Sequence, residues 1–424
     1  MSHMTYRSVL IGLCAAAVAT TTASPAVAST RVQWVGTWAA SPVAGETTET
    51  CPAGPAGITN QTVRNIVHTS VGGNAVRVRL SNTFGTAALT VGSASVAVRQ
   101  SGAASVPGTL RTLSFGGERA ITIPPGAQAL SDPVRLPVRA AQDLAVSVFV
   151  PRLTGPATYH PLAVQDSFLS GAGSGDTTAR PDAAAYPTTI SCWMFVAGVD
   201  VPKASRITGS VVALGDSITD GAGSATNANH RWPNILASRL ADRVGRTLSV
   251  VDEGISANRV LSDAPAGFLA AGVNAQSRLD RDVLTQPGAK VVVLLEGIND
   301  IGFVGAGLAD HPVTAAEIIA GYRQIIARSH DAGLRIVGGT LTPFKGTIFA
   351  GYWNEAAERI RQEVNRWIRT SGAFDGVVDF AAATASRDDP LTLNPAFDSG
   401  DHLHPNDAGY EAMANAIDLR LLLR

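Results

Sequence analysis

The sequence has 424 residues, of which 45% are hydrophobic and 16% are charged, and its 33 basic residues nearly balance its 34 acidic ones. This composition excludes an intrinsically disordered chain, and the net charge of −1 argues against a nucleic-acid-binding protein. A chain well above ~250 residues usually divides into two domains, each with its own hydrophobic core.

The first thirty residues have the features of a secretory signal peptide. The basic Arg7 precedes an apolar run over residues 9–19, and Ala26-Val27-Ala28 has the small-x-small pattern that signal peptidase cleaves. The apolar run is much shorter than the ~20 residues that a membrane-spanning helix needs. We therefore expect residues 1–28 to be removed after Ala28 and the mature protein to be secreted, without stable membrane insertion.

Two cysteines remain after this cleavage, Cys51 and Cys192, because Cys14 lies inside the signal peptide. An even number of cysteines in an oxidising compartment suggests a disulfide. We predict a Cys51–Cys192 bridge, with two unrelated thiols as the alternative.

Residues 33–204 show the alternation of apolar and polar side chains that is typical of half-buried strands. Val76, Val78 and Leu80 share one face of such a segment, while Arg77 and Arg79 share the other. Similar short segments recur up to residue 148, separated by Gly and Pro turn signals and without intervening helical patterns. This pattern predicts an all-β accessory domain of the sandwich or jelly-roll type over residues 33–204.

Residues 207–424 show a different pattern, in which buried strands alternate with amphipathic helices. Near-continuous apolar runs at 210–214, 248–251, 291–295, 334–337 and 377–380 predict strands that are buried on both faces. The helices between them are marked by three- and four-residue apolar spacing in three groups: Trp232, Ile235, Leu236, Leu240 and Val244; Ile318, Ile319, Tyr322, Ile325 and Ile326; and Ile360, Val364, Trp367 and Ile368. This alternation predicts a parallel, doubly wound α/β domain, with a boundary near residues 201–207.

Ligands of open α/β sheets bind beyond the carboxyl ends of the strands, where this sequence places several reactive side chains. Ser217 follows the first predicted strand, Gly254 the second and Asn299 the third, while Asp401 and His404 precede the predicted last helix. A serine becomes a nucleophile when a histidine accepts its proton and a carboxylate orients that histidine. The N–H groups of the serine and the glycine and the asparagine amide can stabilise the resulting oxyanion.

Each of these residues also has a purely structural interpretation. The serine can belong to a capped turn, the glycine to an ordinary loop, the asparagine can bond its own backbone, and the acid and histidine can flank a helix that starts at Pro405. His402 lies two residues before the candidate base, so we expect it to face solvent. The occurrence of all the pieces in order after alternating strands favours the catalytic interpretation.

These blocks resemble those of the SGNH/GDSL hydrolase family. Gly215-Asp216-Ser217 matches the first block, Gly254 the second, Gly297-Ile298-Asn299-Asp300 the third, and the span from Asp401 to His404 the D-x-x-H of the last. Ile218 stands where the family name implies leucine, which is a conservative departure.

The resemblance covers residues 207–424 and implies a flavodoxin-like, three-layer α/β/α hydrolase domain. Segment 254–259 and loop 340–344 are also similar to secreted actinobacterial members that carry a β-rich N-terminal domain. The implied roles are nucleophile and oxyanion donor for Ser217, further oxyanion donors for Gly254 and Asn299, base for His404 and orienting carboxylate for Asp401.

These observations predict a monomeric, secreted serine esterase or lipase that needs neither a cofactor nor a metal ion. Its substrate would be a small-molecule, glycan or lipid ester, and an apolar loop over residues 264–273 favours short acyl chains or small aryl esters. Carbohydrate O-acetyl ester hydrolysis and acyl transfer to a glycan hydroxyl are alternatives within the same chemistry.

Two other classes of function stay open at this stage. The β-rich domain could make the chain a non-catalytic glycan- or wall-binding protein. A metal site could instead be formed by a cluster of acids and histidines near the C-terminus, but the serine, glycine and asparagine on the neighbouring loops would then be unexplained. The members of this cluster are Asp398, Asp401, His402, His404 and Asp407.

Overall fold

The computed structural model describes residue 1 and residues 32–48, 50–309 and 311–424. The predicted signal peptide, residues 1–28, lies outside the described residues except for Met1, and its cleavage stays a prediction. Residues Gln33–Arg424 form one compact unit. Within it we distinguish a β-rich part, residues 33–204, from an α/β part, residues 207–424.

The β-rich part contains two larger antiparallel sheets that enclose one hydrophobic core. One sheet has the strand order β1-β17-β5-β11 and the other the order β15-β14-β4-β12-β7-β8. Val78 and Val199 of the first sheet share their core with Val96 and Val146 of the second. The strands are β1 (Trp34–Ala39), β2 (Thr47–Thr48), β3 (Cys51–Pro52), β4 (Gln61–His68), β5 (Arg77–Ser81), β6 (Leu89–Val91), β7 (Ser93–Ser101), β8 (Ala104–Ser105), β9 (Arg111–Thr112), β10 (Ile121–Ile123), β11 (Gln128–Leu130), β12 (Asp143–Val150), β13 (Tyr159–His160), β14 (Ser167–Leu169), β15 (Thr188–Ile190), β16 (Trp193–Met194) and β17 (Val196–Pro202).

The predicted disulfide is present in this part of the molecule. Cys51 in β3 is bonded to Cys192, which precedes β16, across a sequence separation of 141 residues. Both residues are buried. The prediction of a Cys51–Cys192 bridge is therefore confirmed.

The α/β part is built on a five-stranded parallel sheet with the order β19-β18-β20-β21-β22. Its first two strands in sequence are thus exchanged in space, which is the flavodoxin-like order that we expected. The strands are β18 (Ile207–Gly215), β19 (Thr247–Gly254), β20 (Ala289–Leu295), β21 (Arg335–Gly339) and β22 (Gly376–Val378). The last strand is shorter than predicted, because Asp379 caps a helix that begins at Phe380.

Helices α2, α7 and α8 pack together on the β19 side of the sheet, while α3, α5 and α6 form a second group that contacts β21. The helices are α1 (Ser217–Asp220), α2 (Trp232–Ala241), α3 (Ala275–Leu279), α4 (Ile298–Gly305), α5 (Ala315–Asp331), α6 (Glu355–Thr370), α7 (Phe380–Thr384), α8 (Asp407–Ala416) and α9 (Leu419–Leu423). None of the helices in the described ranges is both long and apolar enough to cross a membrane.

One residue of the apolar spacing that predicted α2, Val244, proves to be exposed. Helix α2 ends at Ala241, and the Val244 side chain is fully accessible to solvent. The chain turns at Gly245, which has a φ of 91°, in order to enter β19 at Thr247. The apolar spacing therefore continued one step beyond the helix that it predicted.

The two parts are joined by residues 203–206 and share an extensive interface. Strand β1 packs against β19, and Gly36 N–H donates to the Pro287 carbonyl at 3.0 Å. Ala39 of the β-rich part belongs to the α/β core, whereas Ile255 of the α/β part belongs to the β-rich core. This exchange of core residues brings the β-rich part against the carboxyl end of β19.

Candidate active site

Ser217 lies at the carboxyl end of β18, as the first residue of the one-turn helix α1. Asp216 caps this helix, because its Oδ1 accepts the Ile218 N–H at 3.0 Å. Gly215 allows the sharp turn, since a Cβ there would lie only 2.2 Å from Thr219 Oγ1 and 2.3 Å from the Leu295 carbonyl oxygen. The tight strand-to-helix connection thus presents a largely buried serine at the sheet edge.

Ser217, His404 and Asp401 form one continuous hydrogen-bonded chain. Ser217 Oγ lies 2.8 Å from His404 Nε2, and His404 Nδ1 lies 2.6 Å from Asp401 Oδ2. Asp401 Oδ1 also accepts the backbone N–H groups of Leu403 and His404, at 2.9 and 2.8 Å. These contacts fix the acid and the imidazole in the loop that precedes α8.

The protonation state of Asp401 follows from the same contacts. Burial alone would raise the pKa of this carboxyl group, but the hydrogen bonds from the His404 ring and from the two backbone N–H groups outweigh it and hold the pKa well below its usual range. Asp401 is therefore an anion that accepts the Nδ1 proton of His404. The Nε2 lone pair of His404 then faces the hydroxyl of Ser217.

Asn299 lies in the first turn of α4, after Gly297, whose φ is 121°. Its Nδ2 donates to the Asn258 carbonyl oxygen at 2.9 Å, and its Oδ1 accepts the Tyr352 hydroxyl at 2.6 Å. The amide therefore does not bond its own backbone, the structural alternative that the sequence left open. One of the two Nδ2 hydrogens is used in the Asn258 contact.

Gly254 is at the carboxyl end of β19, but its N–H is already occupied. It donates to Asp252 Oδ1 at 3.0 Å, so it is not a free donor for an oxyanion. A Cβ at this position would lie 2.4 Å from the backbone nitrogen of Asp220. Close packing of β19 against α1 thus explains this glycine, in place of the oxyanion role expected from the sequence.

Ala257, which no sequence motif indicated, lies three residues after Gly254 and has a backbone N–H that is free to donate. It has a φ of 65°, and its N–H has no hydrogen-bond partner among the described residues. Its turn is tied to α1 because the Ser256 N–H donates to Asp220 Oδ2 at 3.0 Å, and it is tied to Asn299 through the Asn258 carbonyl. The turn therefore lies between α1 and the Asn299 amide.

His402 and the other members of the possible metal cluster point in different directions. The His402 side chain is half exposed and its Nδ1 contacts Asp398, which agrees with the expected orientation toward solvent. Asp407 instead pairs with His230 at 2.9 Å. In residues 32–48, 50–309 and 311–424, no three His, Cys, Asp or Glu side chains converge in a way that could hold a metal ion.

The fully buried Arg278 joins the strand ends beneath the site. Its guanidinium donates to the carbonyl oxygens of Gly215 and Glu253 at 2.9 and 2.6 Å, and to Asn258 Oδ1 at 2.9 Å. It also lies 3.4 Å from a carboxylate oxygen of Glu296. The cation therefore holds β18, β19 and the Ala257 turn in one arrangement, a role that no sequence motif indicated.

An apolar side chain borders His404 on one side. The Phe349 ring meets the His404 ring edge to face, with centroids 6.3 Å apart, and Phe349 and Ile348 are both exposed. The predicted apolar loop at 264–273 also exposes Phe268 and Leu269. Glu46 of the β-rich part holds that loop by accepting the Leu269 N–H at 2.7 Å.

Comparison with known proteins finds a family match for the segment that contains Ser217, Asn299 and His404. Residues 213–412 match the model of the GDSL-like Lipase/Acylhydrolase family. No curated protein matches the chain. Solved structures with which it shares similarity include a GDSL-like lipase from Bacteroides thetaiotaomicron, with 16% identity over 51% of this chain and 89% of that chain and a TM-score of 0.38.

Two further structures match about the same half of this chain. One is a carbohydrate acetylesterase family member from Sinorhizobium meliloti, with 19% identity over 51% of this chain and 97% of that chain and a TM-score of 0.38. The other is an acetyl xylan esterase, with 20% identity over 49% of this chain and 96% of that chain and a TM-score of 0.36.

Proposed function

We propose that the protein is a secreted hydrolase of carboxylic esters that forms an acyl-enzyme on Ser217. The match of residues 213–412 to the GDSL-like lipase/acylhydrolase family model supports this proposal. The observation that carries this proposal is the hydrogen-bonded chain from Ser217 Oγ through His404 to Asp401. A serine in this arrangement can lose its proton to the imidazole as it attacks a carbonyl carbon. The Cys51–Cys192 disulfide supports an oxidising, extracellular location.

In the acylation step, Ser217 Oγ attacks the ester carbonyl carbon while its proton moves to His404 Nε2. The negative charge that develops on the carbonyl oxygen needs preorganised donors. We assign these to the backbone N–H groups of Ser217 and Ala257 and to the Asn299 amide, because the N–H of Gly254 is already bonded to Asp252. Collapse of the tetrahedral intermediate breaks the ester C–O bond, and His404 returns the proton to the leaving alcohol oxygen.

In the deacylation step, water replaces the alcohol. His404 accepts a proton from the water molecule as its oxygen attacks the acyl carbon, and the same donors stabilise the second oxyanion. The intermediate then releases the carboxylic acid, and the proton on His404 returns to Ser217 Oγ. Throughout the cycle the Asp401 carboxylate stabilises the imidazolium and keeps its Nε2 directed at the reacting oxygen.

The surroundings of His404 support a preference among ester substrates. The exposed Phe349 ring contacts this histidine, and the neighbouring Ile348, whose N–H donates to the Asp401 carbonyl oxygen at 3.1 Å, is exposed as well. These side chains can contact a short acyl chain or an aryl group through apolar surface, without enclosing a long chain. We therefore propose short-chain or small aryl esters as substrates, including acetyl esters of larger molecules.

The test is hydrolysis of p-nitrophenyl esters from acetate to palmitate by the protein that starts at Ser29. Ser217→Ala should lower kcat by at least about a thousandfold without changing the midpoint of thermal unfolding, since the nucleophile is lost and its small side chain contributes little to packing. His402→Ala is the matched control, because this histidine lies two residues from His404 and bonds Asp398 instead. An unchanged rate in Ser217→Ala would exclude the proposal.

A further inference from the structure

We propose that His160, a residue of the β-rich part, positions the Ser256–Ala257 turn of the α/β part for catalysis through the carboxylate of Asp220. The proposal rests on the ester hydrolysis proposed above, in which the Ala257 N–H helps to bind the oxyanion. His160 touches neither the substrate nor the reacting atoms in this role. It makes the β-rich part a component of the hydrolytic site instead of a separate binding module.

The contacts of the His160 ring indicate that it carries a positive charge. His160 lies in β13 and is buried; its Nδ1 is 2.9 Å from the Ser41 carbonyl oxygen and its Nε2 is 2.9 Å from Asp220 Oδ1. A carbonyl and a carboxylate accept hydrogen bonds, so both ring nitrogens donate. Burial would lower the pKa of His160, but the adjacent Asp220 carboxylate and the Ser41 carbonyl outweigh it and raise the pKa.

Asp220 connects His160 to the Ser256–Ala257 turn. It is the last residue of α1, three positions after Ser217, and its second oxygen, Oδ2, accepts the Ser256 N–H at 3.0 Å. One carboxylate therefore joins the imidazolium of one part to a backbone N–H of the other.

The Ala257 turn needs such support for a conformational reason. Ala257 follows directly on Ser256 and has a φ of 65°, a left-handed conformation that is unfavourable for any residue with a Cβ. Residues hold such conformations only where their surroundings impose them. The Asp220–Ser256 hydrogen bond is one of the contacts that impose it, and it depends on the orientation of the carboxylate.

Charged and polar neighbours hold the His160–Asp220 pair in place. Arg231 donates from Nε to the Asp220 carbonyl oxygen at 2.6 Å, and its guanidinium lies 5.4 Å from the Trp193 ring centroid. The same indole ring packs against His160, with ring centroids 5.3 Å apart. Ser41, which orients His160 through its carbonyl, also donates from Oγ to Glu253 Oε2 at 2.6 Å.

Replacement of His160 by a neutral residue would leave the buried Asp220 carboxylate without its cationic partner. A buried carboxylate that loses a charged partner is strongly unfavourable in its present position, so it would turn away toward other polar groups or water. This change reorients the acceptor of the Ser256 N–H. The Ala257 N–H would then be displaced from the place where the oxyanion forms.

The experiment compares His160→Gln with the wild-type protein in two measurements. Steady-state hydrolysis of p-nitrophenyl acetate should show kcat reduced roughly 10- to 100-fold, less than for complete loss of an oxyanion donor, with KM within about threefold. Hydrogen–deuterium exchange followed by mass spectrometry should show faster exchange in peptides that contain Ser256 and Ala257. The exchange measurement does not depend on hydrolysis.

His68→Gln is the matched control, because His68 is also a histidine of the β-rich part paired with a carboxylate, that of Asp143 at 2.7 Å. It should keep wild-type kcat and wild-type exchange in the turn. If His160→Gln does not fold, Asp220→Ala makes the same test from the other side of the contact, because it removes the acceptor of the Ser256 N–H. A folded His160→Gln or Asp220→Ala protein with unchanged exchange in the turn would overturn the proposal, whatever its kcat.

The two proposals fail in different ways. If the wild-type protein shows no Ser217-dependent hydrolysis, the proposed function is wrong, and the exchange measurement still decides whether His160 holds the turn. If hydrolysis depends on Ser217 but both kcat and exchange are unaffected in His160→Gln, the positioning role is wrong and the proposed function stands.

Discussion

The hydroxyl of Tyr352 donates to Oδ1 of Asn299 at 2.6 Å, and this contact fixes the orientation of the Asn299 amide. With Oδ1 occupied as an acceptor, the Nδ2 group is directed to the Asn258 carbonyl and the space beside it. Both side chains are buried, so water does not readily replace the tyrosine. The orientation of Asn299, a proposed oxyanion donor, thus depends on Tyr352, which lies outside the four sequence blocks.

Tyr352→Phe should lower kcat for p-nitrophenyl acetate about 3- to 10-fold with little change in KM, since a typical hydrogen bond contributes about 0.5–1.5 kcal/mol. The amide would lose the contact that orients its donor toward the oxyanion. Tyr186→Phe is the control, because Tyr186 is a buried tyrosine whose hydroxyl donates to the Thr177 carbonyl in the β-rich part. If both variants lost the same fraction of kcat, the reduction would reflect general destabilisation and not the amide.

A pair of reciprocal substitutions separates the roles of Gly254 and Ala257. Gly254→Ala should destabilise the protein by about 1–3 kcal/mol and reduce kcat, because the new Cβ would lie 2.4 Å from the Asp220 nitrogen and displace α1. Ala257→Gly should keep kcat within about threefold, since glycine retains the N–H and readily adopts a positive φ. Urea unfolding and kinetics on both variants provide the measurements. A large loss of kcat in Ala257→Gly would contradict this assignment.

The fold was predictable from sequence because its signals are local. Buried strands such as β18 and β20 are continuous apolar runs, and α5 and α6 show regular apolar spacing, so the parallel sheet could be deduced from the pattern. The pattern carries no information on where a helix stops when no cap residue marks it. Val244 continues the spacing of α2, yet the turn at Gly245 leaves it in solvent.

The candidate site was only partly predictable, for a different reason. Ser217 and His404 stand at the ends of predicted elements, where residue type and order carry information. Ala257 offers a backbone N–H and a left-handed φ, and an alanine gives no compositional sign of either. Buried charges such as Arg278 and His160 are likewise invisible, because their partners are distant in sequence: Gly215 is 63 residues from Arg278 and Asp220 is 60 from His160.

Removal of the disulfide should destabilise the protein without altering the fold of the parallel sheet. Cys51 and Cys192 are 141 residues apart, and a bridge across so long a loop restricts the unfolded chain, which contributes about 2–5 kcal/mol to the free energy of unfolding. The double variant Cys51→Ala, Cys192→Ala should therefore unfold at lower urea concentration. Dithiothreitol should lower the midpoint of the wild-type protein but not that of the variant; an equal response of the two would contradict the prediction.

The stability of the protein should also depend on pH through Asp252, a residue that lines a cavity of about 30 Å³ between the two parts. Burial raises the pKa of this carboxyl group to about 7, and the nearby Arg231 only partly opposes the effect. In the unfolded chain its pKa is about 3.9. Because the folded pKa is the higher one, the stabilisation is fully present below about pH 4 and is lost as pH rises toward about 7.

Asp252→Asn removes this titration while retaining an Oδ1 that can accept the Gly254 N–H. The free energy of unfolding of the variant, relative to that of the wild type, should therefore rise between pH 4 and 7 and stay constant above pH 7. The rise should amount to about 1.4 kcal/mol for each unit of the difference between the folded and unfolded pKa. Urea unfolding at several pH values measures the difference. Asp300, whose pKa burial raises to about 6, titrates in both proteins, so the subtraction removes its contribution. A difference that stayed constant with pH would show that Asp252 is not a protonated acid at the interface of the two parts.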